Sequence, residues 1–390
     1  QSVTGYSSSA AAGLNYSYFK SKYQRIFVSY LGSGSRKELA EQSDTWRYKQ
    51  DEEYFEEDET DQVKHDTAHN LTFGARWLFG ETNNLIVNGG ASYKTAYIPL
   101  SSVLSNYSDD VIVNNLTRTS SDLSNRLSGN MNATYLKKIN EGSTLLKLSG
   151  NASYSSDNSE TDFNNITNYY PSGLTYIVDQ FQDNSIKSLN YGGSMSLTQK
   201  ISGSLYMDAG LSVSNAEQTM DRVQGNLFPL ESLIDSLSPE FLKINQSIKP
   251  SLSIRRNSDK MTFTAGVNYN LGRYTTTLDG DAANVSPYNF LQPRLTWQYR
   301  YKTGRRLGIR YSSKANTPSA NQLLPVVNNF NTLSLFYGNR ELTPEFIHSA
   351  SVSWWIFDEF SFTTFLVGLR STYTQNKINY SRSVNDQLVQ

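Results

Sequence analysis

Side-chain polarity in this chain alternates with a period of two, in one segment after another. From Met261 the odd positions read Met261, Phe263, Ala265, Val267, Tyr269 and Leu271, with Thr262, Thr264, Gly266, Asn268 and Asn270 between them. Successive side chains of an extended strand point to opposite faces, so this pattern dictates a sheet with one apolar and one polar face. It recurs at Leu205, Met207, Ala209, Leu211 and Val213, and at Leu146, Leu148, Gly150, Ala152 and Tyr154. Further copies start at Leu71, Leu85 and Leu295. Strong helix formers cluster almost nowhere, which leaves an all-β chain.

Composition decides where such a sheet can live. With 35 Lys+Arg against 36 Asp+Glu in 390 residues, the chain lacks the basic excess of a nucleic-acid binder. The absence of cysteine excludes a disulfide framework, a thiolate metal site and a Cys nucleophile. No run approaches the roughly 18 apolar residues of a membrane helix. A mean hydropathy of −0.52 suits a soluble protein at first sight. The alternative to a membrane is a β-sandwich, whose apolar face needs a dense, branched core. Here aromatics reach 13%, and the apolar face carries Tyr, Trp, Gly and Ala. That mixture suits contact with lipid, bounded by aromatic girdles such as Tyr16, Tyr18, Tyr93, Tyr135, Tyr154 and Trp354.

The connections alternate as well. Short polar turns fall at Ser21–Lys22, Gly80–Asn84, Asn140–Ser143, Ser202–Ser204, Asn257–Lys260, Lys302–Gly304 and Asp358–Glu359. Long loops are expected at Thr45–Gln62, Ser101–Arg118, Asp157–Ser185, Asp221–Leu242, Gly280–Pro287 and Ala315–Glu341. Short turns on one side and long loops on the other are the asymmetry of an outer-membrane barrel. The expected fold is therefore a transmembrane, antiparallel, up-and-down β-barrel. It has about 14 strands in seven hairpins, each with the 9–11 residues of a tilted spanning strand. Residues 1–390 read as one barrel domain or a part of one, with no plug-like segment before Ala10, and the polar stretch Ser381–Gln390 does not read as a terminal membrane strand.

One block is more specific. Pro318, Gln322, Leu323 and Pro325 are followed by Gly338, Asn339, Leu342, Pro344 and Glu345. This resembles the barrel of TonB-dependent receptors, in particular the related outer-membrane β-barrel family of Bacteroidota. There a Pro-x-x-x-Gln-Leu-x-Pro block and a Gly-Asn-x-x-Leu-x-Pro-Glu block precede a descending strand. Leu291, Pro293, Arg294 and Leu295, then Arg306, Leu307, Ile309, Arg310 and Tyr311, look like the same family. The resemblance is motif-specific over residues 288–357. It implies uptake of a scarce nutrient (a siderophore, glycan or peptide) across the bacterial outer membrane, through a plugged barrel of roughly 22 strands. The implied partners are the bilayer, its lipopolysaccharide leaflet and TonB, the last through a plug these residues do not contain. Within the block, Pro318 and Pro325 are expected to end ladder pairing, Gly338-Asn339 to form a tight turn with left-handed backbone angles, and Pro344-Glu345 to start a strand.

Other candidates are weaker. The acidic run from Asp51 to Asp61 matches no Ca²⁺ loop and reads as a solvated external loop. His65 and His69 would lie about 13 Å apart on a strand, too far to share a metal. His348 stands alone on its strand. No nucleophile has a nearby base, so neither enzyme chemistry, a metal nor a cofactor is expected. Lys147, Asp208, Arg294, Arg300 and Arg310 fall on the polar, lumen-facing side, where they would steer an anionic ligand, clamp a plug or simply hydrate the interior. Tyr169, Tyr170, Tyr176, Phe181 and Phe228, with Leu230 and Phe241, are placed in external loops as contacts for a ligand or a surface lipoprotein. A short helix is considered for Leu230–Leu237. An accessory barrel subunit of a secretion, assembly or surface-export complex is the competing functional reading, and an outer-membrane enzyme a third.

Overall fold

The computed structural model describes residues 2–381 apart from 22–23, 50–51, 171, 229–230 and 328–334. Alternation becomes strand throughout. The first eight strands are β1 (Ser2–Ser21), β2 (Gln24–Lys49), β3 (Glu52–Phe79), β4 (Asn83–Ser108), β5 (Val111–Ile139), β6 (Thr144–Tyr169), β7 (Leu174–Ser202) and β8 (Leu205–Asn226). After the two-residue β9 (Ser232–Leu233) come β10 (Glu240–Asn257), β11 (Met261–Leu278), β12 (Asn284–Lys302) and β13 (Arg305–Asn316). A one-turn helix α1 (Ala320–Leu323) precedes β14 (Glu345–Asp358) and β15 (Thr363–Gln375). Every strand pairs antiparallel with the next, and β9 alone lies off the path, against β8. The fold is the expected all-β, up-and-down meander, with β1 and β15 at its edges.

Register keeps the two faces separate across strands. Phe263 lies opposite Trp297, Ala265 opposite Leu295 and Tyr269 opposite Leu291. On the other face Gly266 meets Arg294 and Asn268 meets Gln292. Among the described residues no second layer covers the apolar face: Leu14 is 77% exposed, Leu369 70% and Met195 52%. A sandwich would bury those side chains. Here they form an outward belt, and the polar face is the inner one.

Above the belt the aromatic girdle has a repeated feature. The Tyr30 hydroxyl and His69 Nδ1 are 2.7 Å apart, with Tyr93 directly opposite His69. The Tyr311 hydroxyl and His348 Nδ1 are also 2.7 Å apart, with Tyr373 opposite His348. His348 is therefore not alone: Phe346 packs edge-on against it at 4.5 Å and Tyr373 stacks at 6.1 Å. Among the described residues no group of His, Asp or Glu is placed to hold a metal.

The expected long loops need correction. Most of Thr45–Gln62, Ser101–Arg118, Asp157–Ser185 and the flanks of Asp221–Leu242 are strand, so β2 to β8 continue far beyond a bilayer's thickness. These stretches lack a continuous apolar face yet keep their ladders over most of their length, reinforced by side chains. Trp46, Phe55 and Tyr107 form a row with ring centroids 5.0 and 6.0 Å apart. Asn106 donates to Asn114 at 2.8 Å. Asp109 and Asp110, at φ 49° and 60°, close β4 onto β5 through the two left-handed residues of a tight hairpin turn. The acidic run is likewise strand rather than loop over its described residues, and Asp58 sits half-buried, its carboxyl raised by burial and partly restored by Thr60 and Arg118. Within 231–237 only β9 and a 3-10 turn at Asp235–Leu237 form, and Leu230 and residues 382–390 lie outside the described residues.

Candidate functional site: a strap folded into the barrel mouth

The connection from β13 to β14 does not stand outside the barrel. It turns inward and packs on the inner face of the wall. Ladder pairing stops after Asn316, and Pro318, lacking an N–H, cannot resume it. Ser319 then caps α1: its hydroxyl accepts from the Gln322 amide at 3.3 Å, while Gln322 Oε1 accepts from the Ser319 amide at 2.9 Å. This reciprocal cap lets a single turn of helix form. The turn places Ala320, Leu323 and Leu324 in a cluster with Met220 of β8, Phe241 of β10 and Tyr274 of β11. Ile186, Leu278, Tyr288, Val326 and Leu342 pack around it. Burial of each leucine contributes about 1.5–3 kcal/mol.

Polar bonds fix the strap at both ends. Lys243 Nζ donates to the Pro318 carbonyl and, at 3.4 Å, to Thr317 Oγ1. The Tyr274 hydroxyl donates to the Leu342 carbonyl, and Arg222 Nη1 donates to the Val327 carbonyl at 3.2 Å. The two arms join where the amides of Gly338 and Asn339 donate to the carbonyls of Leu324 and Gln322, each at 2.7 Å. Burial pushes the Lys243 ammonium down to about 8. Burial also raises the Tyr288 hydroxyl, partly offset by its 2.9 Å bond to Asn245.

The motif residues therefore meet in space, though not all in their expected roles. Pro318 lies two residues beyond Asn316, the last paired residue of β13, and Glu345 opens β14 and accepts from the Ile378 amide at 2.8 Å. Pro325 ends no strand; it follows Leu324, the C-cap of α1. Neither Gly338 nor Asn339 adopts a positive φ. Gly338 is small for another reason: a Cβ there would sit 2.5 Å from the Gln322 carbonyl oxygen and 2.7 Å from that of Leu324. Asn339 turns the chain with its side chain, accepting from the Glu341 amide at 2.9 Å.

The lumen-facing candidates divide. Asp208 and Arg294 join one network along a row of the inner wall. Asp208 accepts from Thr198 at 2.5 Å and from Ser253 and Arg255 at 3.4 Å, and Arg294 donates to Ser253 at 3.3 Å. Arg255, which ion-pairs with Asp208, was not among the sequence candidates, although it shares the polar parity of Ser251 and Ser253. Gly266 makes room for Arg294 to cross, since a Cβ there would lie 3.1 Å from Arg294 Nε. Arg300 sits across from Arg306 near the short turns, Arg310 opposite Thr296 and Ser351, and Lys147 opposite Ser196, all outside this network.

The external aromatics are corrected too. Tyr169 ends β6, and Tyr176 and Phe181 lie within β7; only Tyr170 and Phe228 lie in connections. Tyr169 is buried with Leu116 and meets Tyr176 edge-on at 5.9 Å. Phe181 lies over Gly225, and Phe228 is 72% exposed. Phe241 is not a loop contact but part of the strap's floor.

Two cavities flank the strap. One of about 470 Å³ is lined by Ser247, Lys249, Asn270, Tyr288, Ser319 and Glu345, among others. The other, of about 250 Å³, lies on the β6–β8 side and is lined by Ser159, Gln182, Asn184, Arg222, Asn321 and Leu324, with further residues of the strap.

Comparison with known proteins fits this geometry. No curated protein matches the chain. Among solved structures it is similar to the ferric yersiniabactin uptake receptor FyuA from Yersinia pestis, at 8% identity and a TM-score of 0.28, covering 95% of this chain and 72% of that one. It is similar to BauA, the ferric preacinetobactin receptor from Acinetobacter baumannii, at 8% identity and 0.29, covering 95% and 78%. It is also similar to the transport unit of the autotransporter AIDA-I from Escherichia coli, at 9% and 0.28, covering 75% and 85%. At such scores these likenesses carry no argument. The family model does: the outer membrane protein beta-barrel family matches residues 137–390, well over half the chain, including the strap and the strands that floor it. With its apolar face turned outward and its polar face lining an interior, the chain belongs to the outer membrane protein beta-barrel family and is an integral protein of the bacterial outer membrane.

Proposed function

We propose that this chain forms the wall and mouth of an uptake receptor of the TonB-dependent type, admitting a scarce nutrient such as a siderophore, glycan or peptide. The observation that carries the reading is the strap: the motif block packs on the inner face of the wall, with a cavity that holds polar side chains on either side. A receptor that must hold its cargo before moving it needs polar groups fixed in its mouth, and the strap with its flanking cavities supplies them. The plug and TonB contact that this reading requires belong outside the described residues. Cells lacking the protein, grown on a panel of iron-siderophore, glycan and peptide sources, are expected to lose growth on one of them. That growth in the parent strain should collapse on dissipation of the proton-motive force. Unchanged growth on every source overturns the reading.

A second reading rests on the strand extensions. β2 to β8 carry a sheet well clear of the bilayer, edged by Trp46, Phe55 and Tyr107, and such a surface suits a surface lipoprotein or another subunit of an outer-membrane complex. Stoichiometric co-purification of a partner from native membranes, with no growth defect, favours it.

A further inference from the structure

The cavity on the β6–β8 side of the strap contains a charge that the fold leaves unanswered. Arg222 is 7% exposed. Its Nη1 donates to the Val327 carbonyl at 3.2 Å, and its Nε has no partner among the described residues. Gln182, on the neighbouring strand β7 and also 7% exposed, lines the same space, and its Oε1 has no partner among the described residues. Ser159, Asn184 and Asn321 add hydroxyl and amide groups. No carboxylate lines this cavity among the described residues. Burial holds the Arg222 guanidinium below its usual range, and no neighbouring acid offsets the shift.

A buried cation without a counter-charge is strongly unfavourable unless something answers it. The guanidinium is moreover the side chain whose planar fork matches the paired oxygens of a carboxylate or phosphate. We propose that this cavity is an anion-binding subsite, in which Arg222 holds a carboxylate or phosphate group of the ligand and Gln182, Asn184 and Asn321 orient it. Gln182 Oε1 accepts from a hydroxyl or amine next to the anionic group, so the ligand is a hydroxylated or amino-bearing acid rather than a bare ion. The space takes about eight waters at 30 Å³ each, enough for the anionic end of a larger molecule. Leu324 and Val326 of the strap close one side, so cargo held here is held by the same segment that packs on the inner wall. The inference rests on the uptake reading for its biological meaning, but the site itself is testable in the purified chain.

The experiment is calorimetric titration of the full chain in detergent with malate in one arm and glycerol phosphate in the other, each pairing a hydroxyl with its anionic group. Saturable binding of either one is expected, and the arm that binds identifies the anion. Affinity should fall at least tenfold in Arg222→Gln and in Gln182→Ala, and Arg222→Lys, which keeps the charge and loses the fork, should fall between wild type and Arg222→Gln. Arg222 also touches the strap, so a loss in Arg222→Gln has two explanations; Gln182→Ala leaves that contact intact and decides between them. Wild-type protein that binds neither anion overturns the proposal, as does a Gln182→Ala or Arg222→Gln chain that binds as tightly as wild type. Anion binding in a protein whose loss leaves growth unchanged would retain the site and remove the uptake reading.

Discussion

At the residue scale, Gly338 shows how a motif position can be found correctly and explained wrongly. Gly-Asn in a loop suggests a left-handed turn, yet the backbone there is ordinary. What the fold requires is contact: the Gly338 amide reaches the Leu324 carbonyl at 2.7 Å, and a side chain would collide with the carbonyls of Gln322 and Leu324. Gly338→Ala should therefore push the two arms of the strap apart, at a cost of about 1–3 kcal/mol, as for other overpacked positions. Hydrogen exchange at the Leu323 and Leu324 amides should speed up accordingly, while exchange in β2–β5 stays unchanged. The same scale shows what a sequence hides. Asp208, Arg294 and Arg255 all carry inward parity, but which of them meet follows from the register of β8 on β10, which no local pattern encodes. Arg222 was invisible for a different reason. It falls in a stretch read as loop, where parity has no meaning.

At the element scale, strands within the membrane were legible because lipid enforces one apolar face, and alternation is the direct imprint of that demand. Beyond the bilayer nothing enforces it. Ser, Thr, Asn and charged residues occupy both faces of the extensions of β2 to β8, and the backbone ladder sustains the strand regardless. Polarity alone looks like loop. The Asp109-Asp110 turn was the available sign that one of these stretches is a hairpin. The strap was equally veiled, although Ser319 and Gln322 carry the spacing of a helix cap. Its docking depends on Lys243, and this gives it a pH dependence. Docked, Lys243 keeps its proton only up to about 8, whereas freed to solvent it keeps it to its ordinary 10.5. Between those values the undocked form binds the additional proton, so raising the pH favours docking; below about 8 both forms are protonated and pH has no effect. A neutral amine still donates to the Pro318 carbonyl, so the anchor survives the loss of charge. Exchange protection factors for Leu323 and Leu324, corrected for intrinsic rate, should be flat from pH 6 to about 8 and then rise roughly tenfold or more towards pH 10. A fall in protection over that range would show that the ammonium, not the burial, holds the strap.

At the scale of the whole molecule, the assignment of inside and outside is one decision made on every strand at once. Lipid on the apolar face and water on the polar face make neighbouring residues respond in opposite ways to the same substitution. Met195 and Ser194 provide a matched pair at nearly the same depth of β7. Met195 is 52% exposed on the belt, opposite Leu148 and Leu211, while Ser194 faces inward among Ser149 and Ser212. An arginine placed on the lipid face near the bilayer centre costs about 2–4 kcal/mol, whereas a polar, hydrated lumen accepts it. Reversible denaturant unfolding in phospholipid vesicles should therefore show Met195→Arg destabilised by about 2–4 kcal/mol and Ser194→Arg by about 0–1 kcal/mol. Equal costs would mean that both faces meet the same medium, as in a sheet lying outside any membrane. The reverse order would turn the barrel inside out, and with it the strap, the cavities and Arg222, all of which lie on the face that Ser194 shares.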